Sequence, residues 1–378
     1  MNPGCRKKRK INICNDRREW CDLPEDLLVI ISNHLNLADV LTFGRVCRNW
    51  RLFFSASKQK VLTSQPPLVF HIPSRASKSC YFYDMSSGIR YVTKLADFSD
   101  KSILGVSNGY LILERVFLYN SDIWAVNPVT GHQLKFPGMP QPNTTKYDRD
   151  NPYFKCRRVR AIFASFGCRQ DFLVMILSKL HKNVRFCTSR DYKWKVYSFT
   201  GKTWDILDIA LYKGMIFAIT SELQIGLLKL GHPDLKLLNL ECTPNICINV
   251  RFVASDDKLL VINFSSLRVN GVVQVYWINF EGWEWVKVNN LDDEALFLGD
   301  MMTSRLIKTS NWGGCRNCVY DLQFMSNTCY VYSLNGPMRR SVPTTIKGGV
   351  SPRKINCWYF LHQAYNINNV KEVILAET

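Results

Sequence analysis

Residues 103–114 read "ILGVSNGYLILE", two apolar runs on either side of Asn108-Gly109. Asn-Gly adopts the left-handed conformations of a two-residue hairpin turn at little cost, so this stretch predicts a β-hairpin. The signal returns in "LYKGMIFAIT" (211–220, Lys213-Gly214) and "FVASDDKLLVINF" (252–264, Asp256-Asp257). Between these lies a second kind of hairpin, rich in aromatics and with glycine near its turn: "YFYDMSSGIRYV" (81–92), "IWAVNPVTGHQLKF" (123–136), "WKVYSFTGKTWDIL" (194–207), "VYWINFEGWEWVKV" (275–288) and "YVYSLNGPMRRSV" (330–342).

The alternation of the two hairpins organises everything from residue 67 onward. With Gly88, Gly131, Gly201, Gly231, Gly282 and Gly336 as turn markers, the spacing scatters around the roughly 40–50 residues of a β-propeller blade. The predicted fold is therefore mainly β, a propeller of about six blades with seven as the alternative count, because no amphipathic helix interrupts the strands. "PGMPQPNTTKYDRDNPYFK" (137–155) reads as a loop insertion that lengthens the gap before Gly201, whereas the short gap before Gly231 makes that boundary the weakest. "NCWYFLH" (356–362) offers a strand to close the ring against the first ones.

Residues 20–60 follow a different period. Asp22 with Glu25 three positions on, Pro24 at an early helical position, and Glu25 and Asp26 near the positive end of the dipole predict a helix start. Leu27, Leu28, Ile31 and Leu35 recur at one-face spacing, and Asn36 with Asp39 predicts a second start. Phe43, Val46, Cys47 and Trp50 make a third stripe. Three short amphipathic helices cannot bury all those faces among themselves. "SQPPLVFHIPS" (64–74) ends helical continuation with Pro66 and Pro67. The expected organisation is a basic disordered tail (1–19), a helical domain (20–60), a linker (61–66) and the propeller (67–378).

The 378 residues carry a net charge of +18, which favours acidic partners and raises non-specific nucleic-acid binding. "CRKKRKINICNDRR" (5–18), with Arg6, Lys7, Lys8, Arg9 and Lys10 at its centre, reads either as a nuclear-import signal or as a solvated tail. No run reaches the roughly 20 apolar residues of a membrane span and no secretion signal stands at the N-terminus. The expectation is a soluble intracellular protein of nucleus or cytoplasm, without membrane contact. The 14 cysteines then read as reduced thiols.

Motifs for chemistry are sparse. Cys315-x-x-Cys318 lacks the second pair a zinc site requires, and the six histidines show no metal or catalytic spacing. Walker A and GxGxxG are absent, so neither cofactor nor catalytic residue is expected, although a propeller can assemble a site from separate blades. Basic residues gather over 146–195 (Lys146, Arg157, Arg158, Arg160, Arg169, Lys179, Lys182, Arg185, Arg190) and around Arg339, Arg340, Lys347, Arg353 and Lys354. One reading is a phosphate-binding face with Phe154 or Trp194 stacking on bases; the other is solvated loop ends with the aromatics in the core. Glu281, Glu284, Asp292, Asp293, Glu294 and Asp300 form an acidic counterpart.

The helical zone, "WCDLPEDLLVIISNHLNLADVLTFGRVCRNWRLF", resembles an F-box in its Leu23-Pro24 opening, its leucine/isoleucine pattern, Asp39 and the closing "VCRNWR". Gly44 departs from the larger residue usual there. The rest resembles the propeller of plant F-box proteins of the KIB type, through "PPLVF", "GYLIL", "VNPVTGHQLKFP", "EGWEWVKVNNLDDEALFLGD" and "NCVYDLQFMSNTCYVYSLNG". The resemblance implies a non-catalytic subunit of an SCF-type ubiquitin ligase. Its F-box would dock onto a Skp-type adaptor, and through it the cullin and RING subunits, while the propeller captures a target protein. By position the adaptor-facing set would be Leu23, Pro24, Leu27, Ile31, Leu35, Leu41, Val46 and Trp50. The rival reading is a basic propeller binding nucleic acid or another acidic partner without ligase assembly.

Overall fold

The computed structural model describes residues 20–73, 79–94, 101–116, 120–140, 159–166, 171–178, 182–199, 202–230, 235–245, 250–264, 273–299, 304–322, 328–334, 336, 338–344, 354–365 and 369–370. Arg6–Lys10 lie outside the described residues. The chain divides into two compact units, Met1–Ser64 and Gln65–Thr378.

In the first unit a 3-10 turn (Trp20–Asp22) leads to α1 (Glu25–Asn33), α2 (Leu37–Thr42), a second 3-10 turn (Phe43–Arg45) and α3 (Arg48–Thr63). Asp22 does not cap α1, because it belongs to the preceding 3-10 turn; Pro24 takes the cap position, and its carbonyl accepts from Leu27 N and Leu28 N. Asn36 does cap α2, its Oδ1 accepting from Ala38 N at 2.9 Å and Asp39 N at 3.2 Å. The third stripe is not one helix: Cys47 is extended (φ −156°) and caps α3, so Phe43 and Trp50 come from different elements, yet their rings pack at 4.6 Å, tilted by 38°. The segment expected as a linker from residue 61 is helical through Thr63.

The second unit is a six-bladed propeller. Blade one holds β1 (Leu68–Pro73), β2 (Ser79–Tyr83) and β3 (Arg90–Lys94), and blade two β4 (Ser102–Ser107), β5 (Tyr110–Val116), β6 (Asn120–Val126) and β7 (Gln133–Pro140). Blade three follows with β8 (Val159–Phe166), β9 (Asp171–Ser178), β10 (Asn183–Thr188) and β11 (Lys195–Ser198). Blade four has β12 (Ile206–Tyr212), β13 (Met215–Thr220), β14 (Ile225–Leu228) and β15 (Leu235–Leu237), and blade five β16 (Val250–Ala254), β17 (Leu259–Phe264), β18 (Val273–Asn279) and β19 (Glu284–Val288). Blade six contains β20 (Glu294–Gly299), β21 (Arg305–Lys308), β22 (Cys318–Leu322), β23 (Thr328–Ser333) and β24 (Met338–Pro343), in the order β21-β20-β22-β23-β24. β25 (Lys354–Tyr359) pairs with β1 from Leu68↔Tyr359 to Pro73↔Lys354, closing the ring where "NCWYFLH" was expected to. β26 (Asn369–Val370) lies parallel to β8.

One hairpin expectation and one loop expectation require correction. "WKVYSFTGKTWDIL" is no hairpin, since β11 pairs with β10 and β12 with β13, so the stretch crosses from blade three to blade four. Pro137–Pro140, expected in a loop, finish β7, the outermost strand of its blade, where a missing N–H costs no ladder bond. The rest of that insertion lies outside the described residues.

Adjacent blades pack face to face. Leu173, Met175 and Leu177 of β9 meet Ile209 and Leu211 of β12, while Val174 and Ile176 face Phe163 and Phe136 on the other side. Both faces of such strands are covered, so they read as continuous apolar runs such as "FLVMIL" instead of alternating.

Candidate functional site

Two features carry chemistry outward, one on each unit. On the helical unit, Leu28, Phe43, Trp50 and Phe53 form a small core, with Leu23, Ile31 and Leu35 partly buried against it. What the core does not absorb stays in solvent: Leu27 is 44 %, Ile30 55 %, Val46 56 % and Leu52 59 % exposed. Leu27 and Ile30 are three apart on α1 and thus neighbours on one face. Pro24 is exposed and Leu41 half-buried.

Trp50 differs from the rest of the expected set. It is buried, and its indole N–H donates to the Trp20 carbonyl at 2.9 Å while Asn49 Nδ2 donates to Cys21 O at 2.8 Å. Its role is to fasten the approach to Leu23-Pro24 onto α3 rather than to present surface. Ile30 and Leu52 were missed from sequence, although Ile30 could have been found from its i+3 spacing to Leu27. Gly44 sits in the second 3-10 turn, where an added Cβ would lie 3.3 Å from Phe54 Cδ1, so a larger residue there requires the ring to shift.

On the propeller, the inner strands β4, β8, β12 and β16 surround a cavity of about 320 Å³ at one end of the central channel. Arg160, Lys213, Asp256, Ser304, Arg305 and Gln363 are among its polar lining residues. Arg160 donates from Nε to Asp208 Oδ1 at 2.5 Å and from Nη2 to Oδ2 at 2.9 Å. The same carboxylate accepts Ile209 N at 2.9 Å and Phe252 N at 2.8 Å, tying blades three, four and five together. Arg305 donates to Asp256 at 3.1 Å; its side chain is 12 % exposed and its partner's 87 %. Burial lowers the Arg305 pKa, with Asp256 acting in the opposite sense. Burial, with the Arg305 charge adding to it, pushes His362 from 6.5 down to about 3.

The described members of the basic cluster over 146–195 are engaged by the fold. Besides Arg160, Arg185 is buried and donates to Pro140 O at 2.6 Å, Lys182 pairs with Asp205 at 2.8 Å and Arg190 with Asp171 at 2.6 Å. Trp194 is buried with its indole N–H on Pro137 O at 2.8 Å, so it is not available to stack on a base. Lys146, Phe154, Arg157, Arg158, Arg169, Lys179, Lys347 and Arg353 lie outside the described residues. Arg340 is exposed, and the side chains of Arg339 and Lys354 are outside the description. In the acidic sector Glu294 pairs with Lys258 at 3.4 Å, and hydrogen bonds from Ser310 and Thr309 lower the Asp293 pKa. Cys318 is buried in β22, and Cys315 N donates to the Tyr320 hydroxyl at 3.0 Å. No helix among the described residues is long and apolar enough to cross a membrane.

Comparison with known proteins follows the division of the chain. A family of F-box domains matches residues 20–61, and a family described as KIB1-4 beta-propeller matches residues 82–333. Among curated proteins, the F-box protein At1g10110 of Arabidopsis thaliana is 20% identical over 322 residues, 75% of this chain and 79% of that one. Among solved structures, a functionally unknown protein from Desulfotomaculum acetoxidans aligns at TM-score 0.43 and 12% identity, covering 78% of this chain and 89% of its own. TolB from Acinetobacter baumannii aligns at TM-score 0.37 and 11% identity over 82% of this chain and 73% of its own. At such scores neither structure carries an argument.

Proposed function

The chain belongs to the KIB1-4 β-propeller family and carries an F-box domain before the propeller, and from that premise we propose that it is a substrate-recognition subunit of an SCF-type ubiquitin ligase. The F-box docks onto a Skp-type adaptor that leads to the cullin and RING subunits. The propeller holds a target protein, whose lysine gains effective concentration near the ubiquitin-charged enzyme. No residue of this chain performs chemistry in that mechanism. The basic run Arg6–Lys10 is compatible with work in the nucleus as well as the cytoplasm.

The observation that carries the reading is the apolar surface the helical unit leaves uncovered: Leu27, Ile30 and Val46, each about half exposed. Burying the remaining half of each against a partner helix contributes about 1 kcal/mol per residue. Leu23, Pro24, Ile31, Leu35 and Leu41 frame that surface, and Trp50 holds it in place.

The test is co-purification of the full chain with a Skp-type adaptor. Leu27→Asp/Ile30→Asp removes about 2 kcal/mol of apolar burial and adds charges to be desolvated, so retention is expected to fall by at least ~100-fold. Both positions are exposed, so the unit's stability should change by no more than ~0.5 kcal/mol per site. Leu23→Ala/Pro24→Ala should weaken retention as well. If wild type retains no adaptor, or the Asp variant retains it equally, the ligase reading fails.

A further inference from the structure

The channel cavity is the feature that the ligase reading leaves unused. Its volume of about 320 Å³ lies at the lower end of small-molecule sites, which run from ~300 to 1,000 Å³. Charge is unevenly spent around it. Three cations, Arg160, Lys213 and Arg305, contribute to the lining, against the carboxylates of Asp256 and, behind Arg160, Asp208.

Asp208 has no capacity left, since two guanidinium N–H groups and two backbone amides already occupy its oxygens. Arg160 Nη1 makes no hydrogen bond among the described residues. Arg305 is the least satisfied cation: it is largely withdrawn from water, and its carboxylate partner sits almost wholly in solvent, where the attraction is screened. Beside it, Ser304 Oγ is buried with no hydrogen-bond partner among the described residues. A buried hydroxyl without a partner costs about 1–3 kcal/mol, and native structures rarely leave one so. His362 is held neutral and adds no charge of its own.

We propose that this end of the channel binds an oxyanion, a carboxylate or phosphate group, on Arg305 and Ser304, with Arg160 Nη1 and Lys213 completing the positive wall. A planar guanidinium donates two parallel hydrogen bonds to such a group, and a hydroxyl donor beside it fills the next acceptor position. The anion is carried either by a free small molecule or by an acidic side chain of a protein seated on the rim. Adaptor docking plays no part in the argument, so the site stands or falls separately from the ligase reading.

The experiment is calorimetric titration of the full chain with inorganic phosphate, with citrate, and with a glutamate-rich peptide beside its glutamine counterpart, at matched ionic strength. At least one anion is expected to bind in the micromolar to low millimolar range. Arg305→Gln should weaken that binding at least tenfold, and Ser304→Ala several-fold. Citrate or phosphate binding without the peptide identifies a free anion; peptide binding lost on Glu→Gln exchange identifies a side chain. Absence of binding by every probe at about 10 mM, or equal binding by Arg305→Gln, overturns the proposal. Should Arg305→Gln fail to fold, Lys213→Gln combined with Ser304→Ala is the substitute: a loss of threefold or more supports the site, and unchanged affinity rejects it.

Discussion

Asp208 is the residue whose removal should injure the propeller most, and the expected cost follows from what its carboxylate holds. The side chain is 1 % exposed and accepts four hydrogen bonds, two from Arg160 and one each from Ile209 N and Phe252 N. Asp208→Ala leaves a guanidinium that is 11 % exposed without its counter-ion, and breaking a buried pair from one side costs about 3–5 kcal/mol. The two stranded amides push towards the upper part of that range, without adding in full because the groups share one site. Against a total stability of roughly 5–15 kcal/mol for a folded domain, the variant should be severely destabilised. Arg160→Met/Asp208→Leu removes both charges at similar volume, so only the amides suffer and the cost should drop to about 1–3 kcal/mol. Urea unfolding followed on the propeller's own transition measures both, with the slope checked for change. If Asp208→Ala costs under ~1 kcal/mol, or no less is lost in the double variant, the pair is not the junction of blades three, four and five described above.

Two further outcomes are expected. Gly109 has φ +73° and an added Cβ would lie 2.5 Å from Ala364 Cα, so Gly109→Ala combines left-handed strain of ~1–2 kcal/mol with a backbone clash and should lower the propeller's melting temperature by several degrees. His362 has a folded pKa of about 3 against 6.5 unfolded; between those values the unfolded chain binds more protons, so stability should fall as pH drops from 6.5, by at most ~1.4 kcal/mol per pH unit. His362→Gln should flatten that slope in melting curves between pH 6.5 and 4, and an unchanged slope would remove His362 as its cause.

The blade count was legible from glycine turns, but the reason it came out at six is instructive. Gly88 and Gly131 take φ +72° and +74° in the turns between the third and fourth strands of blades one and two, and Gly282 and Gly336 lie in the equivalent turns of blades five and six. Blade three makes the same turn through Ser189–Trp194 without glycine, held by Asp191 accepting from Thr188 N at 2.9 Å and Oγ1 at 2.8 Å. In sequence Gly201 falls between β11 and β12, so using it as a marker lengthened one apparent interval and shortened the one after it. An aspartate that bonds the backbone substitutes for a residue that tolerates positive φ, and a glycine-based marker does not detect it. In blade five Trp283, not Gly282, takes φ +53°. For the helical unit, one-face spacing identified the apolar positions but not which of them the unit would keep for itself. Trp50 is withdrawn from the surface through Trp20, 30 residues away, whose carbonyl receives the indole, and one-face spacing does not register such a contact.

The same long-range logic governs the channel. No local pattern marks Arg160 as a neighbour of Ser304 and Arg305, since it stands on blade three and they at the start of β21 in blade six, and in sequence Arg160 was grouped with basic residues whose described members are tied up in ion pairs or backbone contacts. What brings the cavity together is the ring closure. Tyr359 donates its hydroxyl to Gly109 O at 3.0 Å, Asn127 Nδ2 donates to Ala364 O at 2.7 Å, and Trp358 Nε1 donates to Leu298 O at 2.8 Å. His71, buried between Asn356 Oδ1 at 2.6 Å and Thr344 O at 2.7 Å, fixes β1 to β25 and to the end of blade six. Residues 354–365 thus bind blades one, two and six, and place Phe360 and Gln363 in the cavity wall. Contacts of that sequence separation carry a loop-closure cost that local contacts do not, and the cavity is a property of the closed ring. A group on such a wall is held by the whole fold rather than by one loop, which gives side chains from blades far apart in sequence a fixed relative placement.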